Sequence, residues 1–415
     1  MHSGARTAFK TLIVAGLLLF SVAFHIRRFP LMKNGIDFPE FYCASRMVLS
    51  GAGSQLYDIP AQQRFQAQYT GRIGVLFNHP PFETLFYIPT ALFSYNRGYL
   101  LWTILSTVIL AAGAILLNRE AHILPDSGLL IMFFFVFAPV ALNFLQGQDL
   151  SVLLLIYVLL YRALRKNQMF LAGCVLAVGL FKPHLVLPCF VILFVARRSW
   201  KFVFGFATIA AVLGTISLAI SGWRALLAYP LFVLSLSKVR LAGYSPTSMA
   251  NLRGLLSLVL PQSSAQTALL VLGSIALLGM AVIGWKNVEW RADQRLSNSR
   301  FDLAFASTVI VTLLVSYHLS PHDLALLLLP MPLLFLYLRQ VRLQGAPWRI
   351  VSAVLLVILF LPPLYVLALA RHAYAWLAIP MLILSAILSL EARCPGCGSG
   401  GVTTTRTAAS TPDPS

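Results

Sequence analysis

The chain has 415 residues, 59% of them hydrophobic and only 11% charged, whereas water-soluble domains run at about 45–50% apolar and about 25% charged. So little charge cannot cover a water-facing surface, and because apolar segments recur along nearly the whole chain, a soluble domain on a single anchor is excluded too. The net charge of +18 would suggest nucleic acid in a soluble protein, but here Lys and Arg stand in short connections between apolar runs, where they orient membrane helices, so membrane lipid and not nucleic acid is the expected partner.

The apolar segments predict an all-α integral membrane protein, a polytopic bundle of about 12 spans. In chain order they are Thr7 to Ile26, Gly98 to Leu117, Ser127 to Leu145, Leu150 to Ala163, Met169 to Phe181, Leu185 to Ala196 and Phe202 to Ile220, then Gln266 to Trp285, Phe301 to Tyr317, Leu324 to Leu338, Ile350 to Ala370 and Ala373 to Leu390. The first, preceded by Arg6 and Lys10, is read as an uncleaved span and not a signal peptide, since its apolar run reaches about 20 residues. The pair between Met169 and Ala196 is too short to cross about 30 Å unaided at about 1.5 Å per residue, so a re-entrant pair is the other reading. Residues 1–391 then form one transmembrane domain with outer excursions over 27–97 and 221–265, and 392–415 form a disordered cytoplasmic tail rich in Gly, Ser and Thr. Within the excursions, Pro80 to Phe93 and Leu226 to Leu236 are apolar but short and are expected along the outer interface.

Cations set the sides. Arg162, Arg165 and Lys166, then Arg197, Arg198 and Lys201, then Lys286, Arg291, Arg295 and Arg300, then Arg339, Arg342 and Arg349 all fall on the N-terminal side, which is therefore the cytoplasm. Gln146 to Asp149, Lys182 to His184, His318 to Asp323 and Arg371-His372 face outward. The five cysteines imply no disulfide framework, and Cys394 with Cys397 lack the second pair that a structural zinc site needs.

Six carboxylates face outward in this topology: Asp37, Glu40, Asp58, Glu83, Asp149 and Asp323. Asp37, at the mouth of the bundle, is placed for a substrate lying half in lipid. It equally suits the cap of a helix starting near Phe38 or Pro39, and spacing leaves both readings open. Asp58 reads as a turn or cap residue. Lys182, before Pro183, fits a snorkelling cation, and His318 and His322 fit hydrogen-bonded surface groups.

The ordered set Asp37-Phe38 with Phe41-Tyr42, Leu56-Tyr57-Asp58, Asn78-His79-Pro80-Pro81, Gln146-Gly147-Gln148, Lys182-Pro183-His184 and Ser320-Pro321-His322-Asp323 resembles glycosyltransferase family 87, membrane enzymes of the GT-C class. That family includes polyprenol-phosphate-mannose-dependent α-1,2-mannosyltransferases. Two departures stand out: the family's aromatic-Pro-Pro is His79-Pro80-Pro81 here, and its later Asn-Gln/Ser element survives only as Asn251-Leu252. The resemblance implies an inverting hexosyl transfer, of mannose in the related enzymes, from a polyprenyl-phosphate sugar to a lipid or glycan acceptor at the outer face of the plasma membrane. It implies Asp37 as general base and His322 in catalysis, either orienting Asp37 or holding the phosphate, Lys182 and His184 at the donor phosphate, and Gln146, Gln148, His79, Tyr42, Asp58 and Asn251 at sugar or acceptor. None of these roles needs a cofactor or metal. The competing reading is a transporter or flippase of lipid-linked sugars, which would carry an internal repeat and charges at mid-span; a structural partner is a further alternative.

Overall fold

The computed structural model describes residues 37–71, 73–236, 246–288, 299–340 and 347–393. The expected first span, the tail and its Cys394-Cys397 pair lie outside the described residues. All regular secondary structure among the described residues is helical. The outer segment gives α1 (Phe38–Leu49), α2 (Ile59–Thr70) and α3 (Thr84–Ala91). The bundle follows with α4 (Tyr95–Ala121), α5 (Ser127–Val136), α6 (Ala138–Gln146), α7 (Leu150–Arg165), α8 (Met169–Val178), α9 (Pro183–Arg197) and α10 (Trp200–Leu236). The last part holds α11 (Leu252–Val259), α12 (Ser264–Gly284), α13 (Ser299–Val315), α14 (Pro330–Gln340), α15 (Pro347–Phe360), α16 (Pro362–Ala370) and α17 (Ala378–Arg393).

Five helices among the described residues are long and apolar enough to cross a membrane, or seven if each of two bent pairs is one span. The chain is therefore a multi-pass membrane protein. The expectation of twelve crossings counted apolar segments, and several of these are shorter or bent helices. The pair α5–α6 turns by 68° and α15–α16 by 59°, each second helix opening with proline in its first turn, where a missing N–H does no harm; Leu361, directly before Pro362, is also pushed out of helical geometry. Helix α13 has only 17 residues and is buried almost all round. Hydropathy cannot separate such a core helix from a lipid-facing span. Helix α10 is broken at Gly222, whose φ of 72° and ψ of 165° belong to a region open essentially to glycine alone. The break separates the expected span from the expected outer segment, Leu226 to Leu236.

Two apolar cores result. The larger lies between the bundle helices, with α8 against α10, α4 against α7, and α13 against α17. The smaller is aromatic and lies at the outer end, where α1 packs on α3 and α4. Phe41 stacks on Tyr87 at 4.5 Å, Phe38 meets Tyr99 edge-on at 5.2 Å, and Tyr87 lies 4.0 Å from Trp102. Phe38 and Phe41 are fully buried, each contributing about 1.5–3 kcal/mol, so the start of α1 is held firmly. The segment Pro80 to Phe93, expected flat on the interface, instead buries Phe82, Glu83, Thr84 and Tyr87, with Tyr87 in this core and Phe82 in the larger one.

Candidate active site

Residue Asp37 immediately precedes α1 and would cap it, but its side chain makes no capping bond. The backbone there has φ −88° and ψ −16°, away from the extended geometry usual for a cap. Its amide instead donates to the Gln146 carbonyl at 3.1 Å, and its Oδ2 accepts from Gln148 Nε2 at 2.7 Å. Of the two readings left open by spacing, capping is thus removed. Asp37 is part-exposed, and among the described residues nothing bonds its Oδ1. Burial pushes its carboxyl up to about 6, against the pull of Gln148 and Lys182.

The Gln146-Gly147-Gln148 turn explains how this contact arises. Helix α6 ends at Gly147 in the left-handed conformation, φ 70°, and a Cβ there would stand 2.6 Å from Phe38, so glycine serves both the helix stop and the close approach of α1. The flanking glutamines diverge. Gln146 Oε1 lies 2.6 Å from His322 Nδ1, while Gln148 reaches Asp37 with its nitrogen and accepts from Lys182 Nζ at 3.4 Å with its oxygen.

Where α8 gives way to α9, Pro183 occupies the first turn of α9, leaving Lys182 at the junction. Its Nζ lies 3.3 Å from Asp149 Oδ1 and 3.2 Å from Asp323 Oδ1, with all three side chains buried. Burial opposes the ammonium, but Asp149 and Asp323 more than offset it and hold Lys182 above its ordinary value. Lys182 therefore does not stand as the free phosphate-binding cation expected from sequence; its charge is already shared by two carboxylates. Asp323 is fixed in turn, its Oδ2 accepting from Ser320 N at 2.8 Å.

Around this pair the structure gathers five of the six expected outward carboxylates, since Asp37, Glu40, Glu83, Asp149 and Asp323 all feel the Lys182 charge. Burial holds Glu40 and Glu83 well above the usual carboxylate range. Asp149 is held below its ordinary value against burial, first by the Lys182 charge. His79 Nδ1 is 2.9 Å from Glu83 Oε2, and burial lowers His79 to about 4, leaving it neutral. Sequence reasoning placed Glu40, Glu83 and Asp149 on one common side with the site but gave them no part in it; that common side, assigned from the cations, was the available signal.

The other expected residues separate. His322 Nε2 lies 3.5 Å from Asp323 Oδ1, and it reaches Asp37 only through Gln146, whose carbonyl takes the Asp37 amide. His184 is part-buried with its ring 6.1 Å from that of His318 and its Nε2 buried without a partner among the described residues. Three residues expected at sugar or acceptor have structural work. Asp58 caps α2 by accepting from Ala61 N at 2.7 Å. Tyr42 donates to the Phe93 carbonyl at 2.7 Å and is buried. Asn251 caps α11 through Gly254 N at 2.8 Å and donates to the Ser316 carbonyl at 2.7 Å. A short polar side chain before a helix suits a cap as well as a ligand, which is why sequence could not divide them. An open cavity of about 520 Å³ lies elsewhere, at the Ala121 end of α4 beside Arg339, roughly 30 Å along the helix from Tyr99.

Compared with known proteins, the chain matches the model of glycosyltransferase family 87 over residues 77–316, more than half its length. The matched part contains His79, Gln146, Gln148, Lys182, His184 and Asn251, while Asp37 and His322 lie beyond its ends and join it through the contacts above. No curated protein and no solved structure matches.

Proposed function

Since the chain belongs to glycosyltransferase family 87 and so is a membrane glycosyltransferase, we propose that it moves a hexose, mannose first among candidates, from a polyprenyl-phosphate sugar to a lipid or glycan acceptor. The reaction runs at the outer face of the plasma membrane and inverts the anomeric centre. The acceptor oxygen bonds to C1 while the bond from C1 to the phosphate oxygen breaks; the hydroxyl proton passes to Asp37, and polyprenyl phosphate leaves with the bonding electrons.

One observation carries this reading: Asp37 is a carboxylate held by Gln148 and not used as a cap, with an oxygen that no described residue bonds and a value raised by burial to about 6. A base needs to be ionised at neutral pH yet basic enough to take a proton, and a value near 6 serves both. Gln148 fixes which oxygen remains for the acceptor. His322, through Gln146, and Lys182, through Gln148, are positioning residues for this base.

The test uses full-length protein in proteoliposomes, supplied either with polyprenyl-phosphate hexoses or with nucleotide sugars and no lipid carrier. Transfer is expected from the lipid-linked donor only, and Asp37→Asn should lower it at least about 10²-fold with insertion intact. Turnover with a nucleotide sugar alone, or near wild-type activity in the variant, refutes the donor class or the base, respectively.

A further inference from the structure

The charge balance of the site leaves the donor phosphate without an obvious seat. Lys182 answers Asp149 and Asp323, and ionised Asp37 stands beside them, so the cluster is net negative at neutral pH and buried. A phosphate anion brought there would meet repulsion that little water screens.

Beside the cluster, the chain from Ser316 to Ser320 turns toward the surface, where Tyr317 is 57% exposed. The start of α11 is stitched to this turn by Asn251 on the Ser316 carbonyl at 2.7 Å and by Arg253 Nη1 on the Tyr317 carbonyl at 3.2 Å. The Arg253 guanidinium also lies over the Tyr317 ring, 4.3 Å from its centre. These contacts occupy one of its five N–H donors, and among the described residues no carboxylate pairs with it. Next to Tyr317 in the chain, and within electrostatic reach of Arg253, is His318. Its Nε2 is 3.2 Å from Ser320 Oγ, and its ring lies edge-on to that of His184, whose buried Nε2 has no partner among the described residues. A partly exposed planar cation thus leads through two imidazoles to the Lys182–Asp323 pair.

We propose that Arg253, with His318 and His184, holds the phosphate of the lipid-linked donor at the open edge of the site; this rests on the donor class proposed above and adds where its anion sits. A sugar phosphodiester carries one negative charge, and on departure the polyprenyl phosphate becomes a monoester with a second. A guanidinium can meet two phosphate oxygens at once, and the growing charge strengthens that contact in the transition state more than in the ground state. The arrangement also keeps the phosphate cation apart from the buried ion pairs that orient Gln148.

Binding by full-length protein in phosphatidylcholine nanodiscs tests this, with polyprenyl monophosphate, the corresponding polyprenol and inorganic phosphate as probes, read by tryptophan fluorescence. Wild type should prefer the lipid phosphate to the alcohol. Arg253→Ala should weaken binding of the phosphate roughly tenfold to a hundredfold and leave polyprenol unchanged. Arg253→Lys should fall between, and Arg224→Ala should bind as wild type does. Full preference for the phosphate in monodisperse Arg253→Ala, or inorganic phosphate competing as well as the lipid, overturns the assignment of this edge while leaving the donor class standing. Equal wild-type binding of phosphate and alcohol overturns both.

Discussion

Replacing Gln148 by Leu removes one amide from the site and isolates its effect on the base. The amide orientation is fixed by its neighbours, since the Lys182 ammonium cannot accept and the ionised Asp37 carboxylate cannot donate; the nitrogen must face Asp37 and the oxygen Lys182. A hydrogen bond to a charged group contributes about 1.5–3 kcal/mol, and one pKa unit corresponds to about 1.4 kcal/mol. Losing it should raise Asp37 from about 6 by roughly 1–2 units. Transfer requires the ionised form, so the rate should rise with pH through about 6 in wild type and about 7–8 in Gln148→Leu, with much of the high-pH plateau retained. The assay is the initial rate with saturating lipid-linked donor from pH 5 to 9.5. A uniform loss at every pH with an unmoved acid limb refutes the argument and makes Gln148 a plain substrate contact. For stability the sign is opposite. The protonated form of Asp37 is favoured in the folded chain, so its contribution is present below the ordinary value of 3.8 and lost as pH rises through about 6.

Lys182→Met should destabilise the protein by about 3–5 kcal/mol, because it leaves Asp149 and Asp323 buried and unpaired. Thermal unfolding in detergent checks this, and a variant of wild-type stability whose only defect is donor affinity would return Lys182 to the phosphate. Cysteine introduced at exposed Arg97 should react with an impermeant reagent in intact cells, whereas one at Arg198 should stay protected. The reverse pattern would put the carboxylate cluster on the cytoplasmic side.

The bundle was largely legible in the sequence, and the limits of that reading are physical. The predicted segments Gly98 to Leu117 and Gln266 to Trp285 correspond to α4 and α12, each within a few residues at the ends. An apolar run reports what is hidden from water but not what hides it. Helix α13 and the pair α8–α9 therefore read like lipid-facing spans although neighbouring helices cover much of them. Bends at Phe137 and Leu361 were marked only by prolines that equally suit a helix start.

The site was legible in its side but not in its pairing. Alternating cations put Gln148, Lys182 and Asp323 at one end of the bundle, yet Lys182 and Asp323 are 141 residues apart in the chain, and which carboxylates converge depends on helix packing that no local pattern encodes. A lone cation at a helix junction looks the same whether it will meet headgroups, a substrate phosphate or buried acids. The two carboxylates at 3.2 and 3.3 Å decide for the third. The same packing decides Asp37. The aromatic core fixes α1 so that its first residues abut Gly147, which turns the Asp37 carboxylate toward Gln148 and away from the amides it would have capped. A residue that sequence alone left divided between cap and base is thereby turned away from capping by contacts of Phe38, Gly147 and Gln148, as the proposed role of base requires.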